Sequence, residues 1–283
     1  MTRVTVITVA YNSANVLPGM LGSLPIGAPA IVVDNASGDV ATLRGLVGPV
    51  VTLLEQPENI GFGRACNAGA ALANTEFLLF LNPDARLMPD TLTQLVAAAD
   101  RYPDAVGFNP RFTDDSGAPA FKRTCHLLPR SDWMPRGQPP ADCALPVLSG
   151  AALFVRRADF EAVGGFDPNI FLFFEDDDLS LRLRKRGKLM FIRDALVQHT
   201  GGNASHPNPR VDWLKAWHFG YSRIYASRKH GRRFAFAKTL VRAIPRALSP
   251  RVLFSQSHRA ESWGYLSGIV HAQLGRPNPG DRL

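Results

Sequence analysis

Four consecutive carboxylates, Glu175 to Asp178, follow an aromatic run and open a stretch that ends in Arg and Lys. Acids in a first turn and bases in a last turn favour a helix because both oppose the helix dipole, and Gly187 could end that helix in a left-handed conformation. The phenylalanines within residues 171–174 place apolar surface beside the acids, and desolvation raises a carboxyl pKa toward values that suit proton abstraction. The stretch therefore predicts a general base, and a merely capped helix start is the alternative.

Two further acids follow predicted strands. The apolar run at 30–33 ends in Asp34-Asn35, and the run at 77–81 ends in Asn82-Pro83-Asp84. Open α/β sheets bind ligands at the carboxyl edge of their strands, where Asp34 could accept hydrogen bonds from a ribose or a base. At the same edge Asp84 could ligate Mg²⁺ or Mn²⁺ on a diphosphate. A lone acid at a strand end is often only a turn cap, so it is the shared edge that favours a ligand site.

Residues 61–69, GFGRACNAG, predict a glycine-rich turn that leads into an alanine-rich helix. The segment superficially matches a dinucleotide fingerprint, but Cys66 replaces the third glycine and the segment follows the third strand rather than the first. We favour a loop and helix start that lie beside a nucleotide diphosphate, with Arg64 or Asn67 in contact with it. Close helix packing through small residues is the alternative.

The elements that position these residues read as an α/β fold. Strand patterns at 4–9, 30–33 and 50–54 alternate with helix-compatible sequence, which implies parallel pairing. Residues 111–146 are rich in Pro, Asp and Arg and lack periodicity, as is typical of a long surface segment or a lid. Residues 147–155 predict another strand, in which Gly150 marks a close approach of ligand or backbone.

Short strands are also expected at 189–192 and 195–197, and they lead into a loop that contains His199. A single His in a loop is usually a surface residue. Because Asp84 has no companion carboxylate in its motif, His199 is the best remaining candidate for a second metal ligand.

The amino-acid composition limits the classes of protein to which this chain can belong. A chain of 283 residues that is 46% hydrophobic can bury the core of one large α/β domain with an appendage. Its three cysteines show no CxxC spacing, so the sequence supports neither a disulfide framework nor a zinc knuckle. The N-terminus lacks a signal-peptide pattern, and no apolar run reaches membrane-spanning length. We therefore expect a cytoplasmic protein.

The positive charge is concentrated in the tail. Residues 210–283 hold 14 Lys and Arg against 3 Asp and Glu, a formal charge of +11, whereas residues 1–209 carry −3. Aromatic and aliphatic residues interleave with these cations, which predicts amphipathic helix broken near Pro245 and Pro250. Either this face packs on the first domain or it docks on an anionic membrane, and we expect the membrane. Nucleic acid is not an expected partner, because no reader motif is present.

Seven motifs follow one another along residues 4–205. They are VTVITVAYN (4–12), VVDNASGD (32–39), ENIGFGRACNAG (58–69), FLNPDA (80–85), LSGAALFVRR (148–157), GGFDPNIFLFFEDDDLSLRLRKRG (164–187) and QHTGG (198–202). In this order they resemble the inverting GT-A glycosyltransferases of family 2, particularly the rhamnosyltransferase-like branch. The resemblance implies a GT-A catalytic domain over 1–209, with a mostly parallel, Rossmann-like sheet and flanking helices, followed by a basic helical region over 210–283.

The resemblance also implies roles for the donor side. The residues that hold the nucleoside would be Ala10, Tyr11, Asp34 and Asn35. Asp84 would ligate a divalent cation, Mg²⁺ or Mn²⁺, at the donor diphosphate, and His199 would complete the metal site. Asn82 stands where the common acid-x-acid motif has its first carboxylate.

On the acceptor side the resemblance selects Asp176, the second residue of the Glu175-Asp176 pair, as the catalytic base. We expect Gly150 and Asp178 to contact the acceptor, and Asp177 to touch solvent or the helix cap. The implied reaction is inverting transfer of a sugar from a nucleotide-diphosphate donor to a hydroxyl of a glycan or a lipid-linked acceptor. Rhamnose on a thymidine diphosphate carrier is the sugar that this branch suggests.

Two other functions remain open at this point. A sugar-phosphate nucleotidyltransferase also uses a nucleotide-binding α/β sheet and Mg²⁺, but it should carry a basic glycine-rich loop after the first strand, where this chain has residues 10–13, AYNS. An inactive nucleotide- or glycan-binding module would be expected to have lost Asp84, Asp176 or His199. The sequence leaves the donor base, the acceptor and the oligomeric state undetermined.

Overall fold

The computed structural model describes residues 3–199 and 208–280. Its strands are β1 Val4–Ala10, β2 Ala30–Asp34, β3 Val51–Glu55, β4 Phe77–Leu81, β5 Ala85–Leu87, β6 Ala105–Thr113, β7 Pro119–Ala120, β8 Cys143–Ala144, β9 Ala152–Arg156 and β10 Lys188–His199. Its α-helices are α1 Leu17–Leu21, α2 Val40–Leu46, α3 Phe62–Ala70, α4 Thr91–Arg101, α5 Arg157–Ala162, α6 Glu175–Leu183, α7 Pro209–Lys229, α8 Ala235–Ala247, α9 Arg251–Phe254 and α10 Gln256–Gln273.

One sheet organises the first two hundred residues, in the order β3-β2-β1-β4-β9-β6-β10-β5. Strands β3, β2, β1 and β4 are parallel to one another, as the alternating pattern predicts. Strand β9 lies antiparallel between β4 and β6, and β10 then pairs parallel with β6. The parallel half therefore brings the carboxyl ends of β1, β2 and β4 to one edge.

Helices cover both faces of this sheet, which is why its central strands read as continuous apolar runs. Every residue of β1 and β4 is buried. Alternate residues serve opposite faces: Phe77 packs toward the helices α1, α2 and α4, and Phe80 toward α3, α5 and α6. Leu179 and Leu183 of α6 are fully buried in the second of these clusters, so the predicted buried face of this helix is confirmed.

Three local expectations were wrong. The strand expected at 147–155 begins only at Ala152, because residues 148–151 turn toward α6. The two short strands expected after 188 form the single strand β10, whose register with β6 shifts between Ile192 and Leu196. Gly187 does not adopt a left-handed conformation; a side chain there would meet the Asp104 carbonyl oxygen, 2.6 Å from an added Cβ, so close packing is what requires glycine.

The segment 111–146 has little regular structure, as its composition predicts, but it is packed onto the domain. Strands β7 and β8 pin it to β6 and β10. Cys125 and Leu127 are buried in a cluster with Phe174 and Ala226, so the segment joins the acid helix α6 to the tail helix α7.

The tail forms four helices, of which α7 and α10 pack most closely. Gly264 of α10 faces α7 so tightly that an added Cβ would lie 2.5 Å from the Trp213 carbonyl oxygen, and Trp217 of α7 is completely buried. The expected break at Pro245 is wrong, because α8 continues through it to Ala247. The chain breaks instead at Leu248 to Pro250, near the second expected proline.

Part of the tail's apolar surface packs on the first domain, and other buried apolar residues of the tail pack on one another. Phe219 and Tyr225 of α7 contact the cluster around Phe174. The Ser222 hydroxyl donates to the Leu172 carbonyl oxygen at 2.8 Å. The boundary expected at 209/210 thus falls at the start of a helix that shares a core with the residues before it. No helix within 3–199 and 208–280 has both the length and the hydropathy needed to cross a bilayer.

Candidate active site

The carboxyl ends of β1 and β2 form the first wall of the site. Asp34 is almost fully buried, and its Oδ1 accepts a hydrogen bond from the Ser37 backbone nitrogen at 3.1 Å. Ala10 is buried and offers only its backbone, whereas the Tyr11 side chain is 51% exposed above the strand end. Asn12 and Ala36 have φ values of 51° and 64°, so both loops turn sharply just beyond the sheet edge.

Asn35 ties this wall to the next loop. Its Nδ2 donates to Asn59 Oδ1 at 2.7 Å, and its Oδ1 accepts from the Ile60 nitrogen at 3.0 Å. Gly61 follows with φ 86°, and an added Cβ there would lie 2.5 Å from the Phe171 carbonyl oxygen. The glycine thus allows the loop before α3 to pass against the aromatic run that precedes α6.

A cavity of about 360 Å³ opens above this edge. Its lining includes Tyr11, Asn35 and Asp84 from the sheet side, three of the residues expected to hold the donor. Helix α7 supplies the opposite wall through Val211, Leu214, Lys215 and His218. This wall could not be predicted from the sequence, because no pattern in the tail indicates where on the first domain it packs.

The expected metal ligands lie together. His199, the last residue of β10, comes to this edge because β10 pairs antiparallel with β5, directly after Asp84. Its Nε2 is 3.2 Å from Asp84 Oδ1 and 3.3 Å from Asn82 Nδ2. Neighbouring ligands of an octahedral cation at about 2.1 Å lie about 3 Å apart, so this pair fits one Mg²⁺ or Mn²⁺. Within 3–199 and 208–280 no three His, Cys, Asp or Glu residues cluster for a metal, and the remaining ligands would come from diphosphate and water.

Asp176 is held at the start of α6 by three donors. Its Oδ2 accepts from Lys122 Nζ at 2.7 Å and from the Gly150 nitrogen at 2.8 Å, and its Oδ1 accepts from the Asp177 nitrogen at 2.8 Å. The side chain is 18% exposed, so it keeps access from outside. Gly150 therefore contacts the expected base directly, and its expected contact with an acceptor stays a prediction.

Lys122 is a residue of this site that sequence reasoning missed. Its Nζ also lies 2.7 Å from Asp177 Oδ1 and donates to the Leu148 carbonyl oxygen at 3.1 Å. Burial acts to lower the pKa of Lys122, but the charges of Asp176 and Asp177 outweigh burial and raise it. No sequence motif identifies Lys122 as a site residue, since it lies in the aperiodic segment, 54 residues before Asp176.

Asp177 and Glu175 are more buried than expected. Asp177 is 6% exposed beside Lys122, so the expectation that it touches solvent or the helix cap was wrong. Burial raises the pKa of Asp177 to about 6 despite the Lys122 charge. Glu175 faces Gly63 and Cys66 of α3, and burial together with the Asp176 charge raises its pKa to about 8. Glu175 is thus held as a neutral acid at pH 7, and its catalytic role stays a prediction.

Asp178 corrects another expectation. It is completely buried, with Arg182 Nη2 2.7 Å from Oδ2 and both Lys229 Nζ and His230 Nε2 2.8 Å from Oδ1. Burial acts to raise the pKa of Asp178, but the hydrogen bonds from His230 and Lys229 and the Arg182 charge prevail and lower it to about 2. With both oxygens occupied by cations, it cannot contact an acceptor; it joins α6 to α7.

The structure also places the two residues expected beside the diphosphate, Asn67 and Arg64, in contact with backbone atoms of the protein. Both amide atoms of Asn67 bond the backbone of Phe166, each at 2.8 Å, so Asn67 fixes the turn before the aromatic run and the expected donor contact was wrong. The Nε of Arg64 donates to the Pro168 carbonyl oxygen at 2.6 Å, and the side chain lines an adjoining cavity of about 320 Å³. A diphosphate contact by Arg64 stays a prediction.

Known proteins share this sequence pattern. A family model described as Glycosyl transferase family 2 matches residues 5–164. The N-acetylglucosaminyl-diphospho-decaprenol L-rhamnosyltransferase of Mycobacterium tuberculosis is 29% identical over 262 residues, which cover 80% of this chain and 85% of that protein. Rhamnosyltransferase WbbL of Escherichia coli is 27% identical over 190 residues, which cover 60% of this chain and 71% of WbbL.

Solved structures share the fold. The mannosyltransferase PcManGT from Pyrobaculum calidifontis, in complex with GDP-Man and Mn²⁺, superposes with a TM-score of 0.58 at 17% identity, covering 96% of this chain and 87% of PcManGT. At this identity the likeness concerns the fold, and it agrees with the GT-A arrangement of a largely parallel sheet between helices.

Proposed function

Because the chain belongs to glycosyl transferase family 2 and is a glycosyltransferase, we propose that it moves rhamnose from a nucleoside-diphosphate donor to a hydroxyl of a diphosphate-linked lipid acceptor. One observation supports the proposed position of the donor site. Tyr11, Asn35 and Asp84, which are distant in sequence, line one cavity at the carboxyl edge of the sheet. The sugar and the acceptor class are suggested by the Mycobacterium tuberculosis relative, whose name states both.

Asp176 would act as the base of a single displacement. Its carboxylate takes the proton of the acceptor hydroxyl as that oxygen bonds the anomeric carbon, and the bond from this carbon to the diphosphate oxygen breaks on the opposite face. The nucleoside diphosphate leaves with the bonding electron pair, so the anomeric configuration inverts. A divalent cation held by Asp84 and His199 would neutralise charge on the leaving diphosphate.

The donor is tested with a panel of nucleotide sugars. A donor that binds only the folded state at 100 times its Kd raises the free energy of unfolding by about 2.7 kcal/mol, which a thermal-shift assay detects. We expect thymidine diphosphate rhamnose to give the largest shift and to be consumed with N-acetylglucosaminyl diphosphate-lipid as acceptor. If another nucleotide sugar gives a larger thermal shift and is turned over, that sugar and not rhamnose is the one transferred. If no nucleotide sugar shifts the thermal midpoint, the proposed function is contradicted.

Metal removal gives a second test. Excess chelator should abolish transfer, and Mg²⁺ or Mn²⁺ should restore it, because the proposed ion would neutralise the leaving diphosphate; the 3.2 Å distance between Asp84 Oδ1 and His199 Nε2 supports this proposal. Asp84→Ala should lower transfer while the thermal midpoint stays within a few degrees. Asp194→Ala, at an exposed acid of β10 outside the cavity, serves as the matched control. Full turnover in chelator would contradict metal dependence.

A membrane surface is the remaining proposed partner. Phe234, Val241, Leu248, Leu253 and Phe254, around α8 and α9, are each more than 70% exposed. Basic residues of the same helices alternate with them, which suits an interface of anionic headgroups and acyl chains.

Vesicle sedimentation tests this surface. Binding should require anionic lipid and should weaken as salt rises from about 0.05 to 0.5 M, because screening shortens the reach of the tail's charge. Leu253→Ser with Phe254→Ser should weaken binding, whereas Val50→Ser, an exposed apolar position on the first domain, should not. Equal binding to neutral and anionic vesicles would remove the electrostatic part of the proposal.

A further inference from the structure

A third cavity, of about 440 Å³, lies between residues 126–133 and helices α7 and α8. Its lining contains six Arg and Lys side chains and no Asp or Glu. The cations are Arg130, Arg223, Arg232, Arg233, Lys238 and Arg242. It shares no lining residue with the donor cavity.

The described lining of the cavity contains no acid that could neutralise these cations, and Arg223 and Arg242 also line a neighbouring cavity that contains Asp212 and Glu261. None of the six forms a salt bridge with a carboxylate of the described residues; the partners that the structure gives them are uncharged, such as the Tyr265 hydroxyl 3.0 Å from Arg223 Nη1. The guanidinium of Arg130 lies 5.6 Å from the centre of the Trp133 ring. Like charges gathered in a concave wall repel one another and create a potential that favours a multivalent anion.

The cavity lies beside the acid helix. The His126 ring on its wall is 6.3 Å, centre to centre, from the ring of Phe174, the residue immediately before Glu175. The same segment of chain carries Lys122, which bonds Asp176. The cavity is therefore adjacent to the turn that begins α6, two residues before Asp176.

Helix α8 also presents apolar side chains to the outside. Lys238 and Arg242 line the cavity, while Val241 and Leu248 are more than 70% exposed to the outside. A ligand with an anionic head in the cavity could therefore extend an apolar chain along the exposed side of α8.

We propose that this cavity binds the diphosphate of the acceptor, with Arg233 and Arg242 among its ligands. The inference rests on the proposed function for the acceptor's chemistry, and it adds the subsite that recognises it. Guanidinium groups suit this ligand because each can donate two parallel hydrogen bonds to a phosphoryl group. Phospholipid headgroups offer the same phosphoryl chemistry, so the test separates the two sources.

The first arm compares two acceptors in lipid-free solution. One is N-acetylglucosaminyl diphosphate on a short, water-soluble isoprenyl chain, and the other is octyl N-acetylglucosaminide, which is uncharged. The doubly substituted Arg233→Gln, Arg242→Gln enzyme should show a KM for the diphosphate acceptor at least about tenfold higher, since charge-assisted hydrogen bonds are lost. Its kcat, its donor KM and its use of the octyl glycoside should be unchanged.

The matched control is Arg251→Gln with Arg259→Gln, which removes the same charge from the tail outside the cavity. An equal rise in KM in this control would show that net charge alone matters and would overturn the proposal. An unchanged KM in the cavity variant, or an equal loss with the octyl glycoside, would overturn it as well.

The second arm does not depend on transfer. Geranyl diphosphate is titrated into each enzyme by calorimetry, and the cavity variant should bind it at least about tenfold more weakly than wild type and control. If this holds while wild type uses no N-acetylglucosaminyl acceptor, the proposed function fails and the subsite stands. If phosphatidylglycerol vesicles displace geranyl diphosphate at equal phosphate concentration, the cavity is a lipid headgroup site and the proposal is overturned.

Discussion

Asp176→Asn should lower the rate of sugar transfer by about 10² to 10⁴, the usual cost of losing a general base. The substitution keeps the shape of the side chain and can still accept from Lys122 and the Gly150 nitrogen, but it cannot take a proton from the acceptor. Donor affinity should survive, because Asp176 does not line the donor cavity. Single-turnover transfer and donor titration, measured on the same preparation, separate the two effects.

Asp177→Asn is the neighbouring control. It removes the second carboxylate that faces Lys122, which then pairs with Asp176 alone, so we expect a smaller loss than for Asp176→Asn. An inactive Asp177→Asn enzyme beside a nearly native Asp176→Asn enzyme would mean that the assigned register of α6 is wrong. If both variants are active, the base lies elsewhere in the site.

Lys122→Met should move the acidic limb of the pH–rate profile to higher pH. Lys122 opposes protonation of Glu175 and Asp177, so its removal raises the pKa of both carboxyls above about 8 and about 6. Asp177 is then protonated to a larger extent at pH 7, and transfer should fall there and partly recover near pH 9. Lys122→Arg keeps the charge and should keep the wild-type limb. An unmoved limb in Lys122→Met would mean that the lysine only supports the fold.

Asp178→Asn should cost about 3–5 kcal/mol of folding free energy, because it leaves Arg182, Lys229 and His230 without the buried carboxylate they surround. Native domains are stable by about 5–15 kcal/mol, so the thermal midpoint should fall by roughly 10 °C. The exposed pair of Asp104 and Lys188 offers the control, since Asp104→Asn should leave the midpoint unchanged. A native midpoint for Asp178→Asn would show that the buried cations find other partners.

The same carboxylate sets a dependence on pH. The pKa of Asp178 is depressed to about 2 in the folded state, against about 3.9 when unfolded. Its contribution to stability is therefore complete above about pH 4 and is lost as the pH falls toward 2. The acid-unfolding curve of wild type should accordingly steepen in that interval, and that of Asp178→Asn should not.

Sequence alone could predict the sheet edge and the residues on it. Asp34 and Asp84 follow apolar runs whose parallel pairing is dictated by the strand, helix, strand order, so their shared edge follows from general rules. Elimination and the family resemblance both point to His199, and β10 does bring it to Asp84, through an antiparallel pairing with β5 that no local sequence pattern predicts.

The environment of the four acids in helix α6 could not be predicted from the sequence. Four adjacent acids on a helix point in different directions, but which of them faces the core depends on neighbours supplied from elsewhere. Lys122, from the aperiodic segment, contacts Asp176, and His230, from the tail, contacts Asp178. Because of these distant partners, Asp176 stays partly exposed whereas Asp178 is fully buried. Periodicity carries no information about partners so far away in the chain.

The enclosure of Asp178 has a consequence for protein engineering. Because Lys229, the last residue of α7, and the following His230 complete the cluster around Asp178 of α6, the tail is not an interchangeable module that can be grafted between related enzymes at its start. A chimera joined near residue 208 would bring a foreign helix against a buried carboxylate, and it would be destabilised unless the incoming segment supplied hydrogen-bond donors at both positions. If the proposed acceptor subsite is correct, acceptor preference is better transplanted by exchanging α8 and α9, which lie beyond His230.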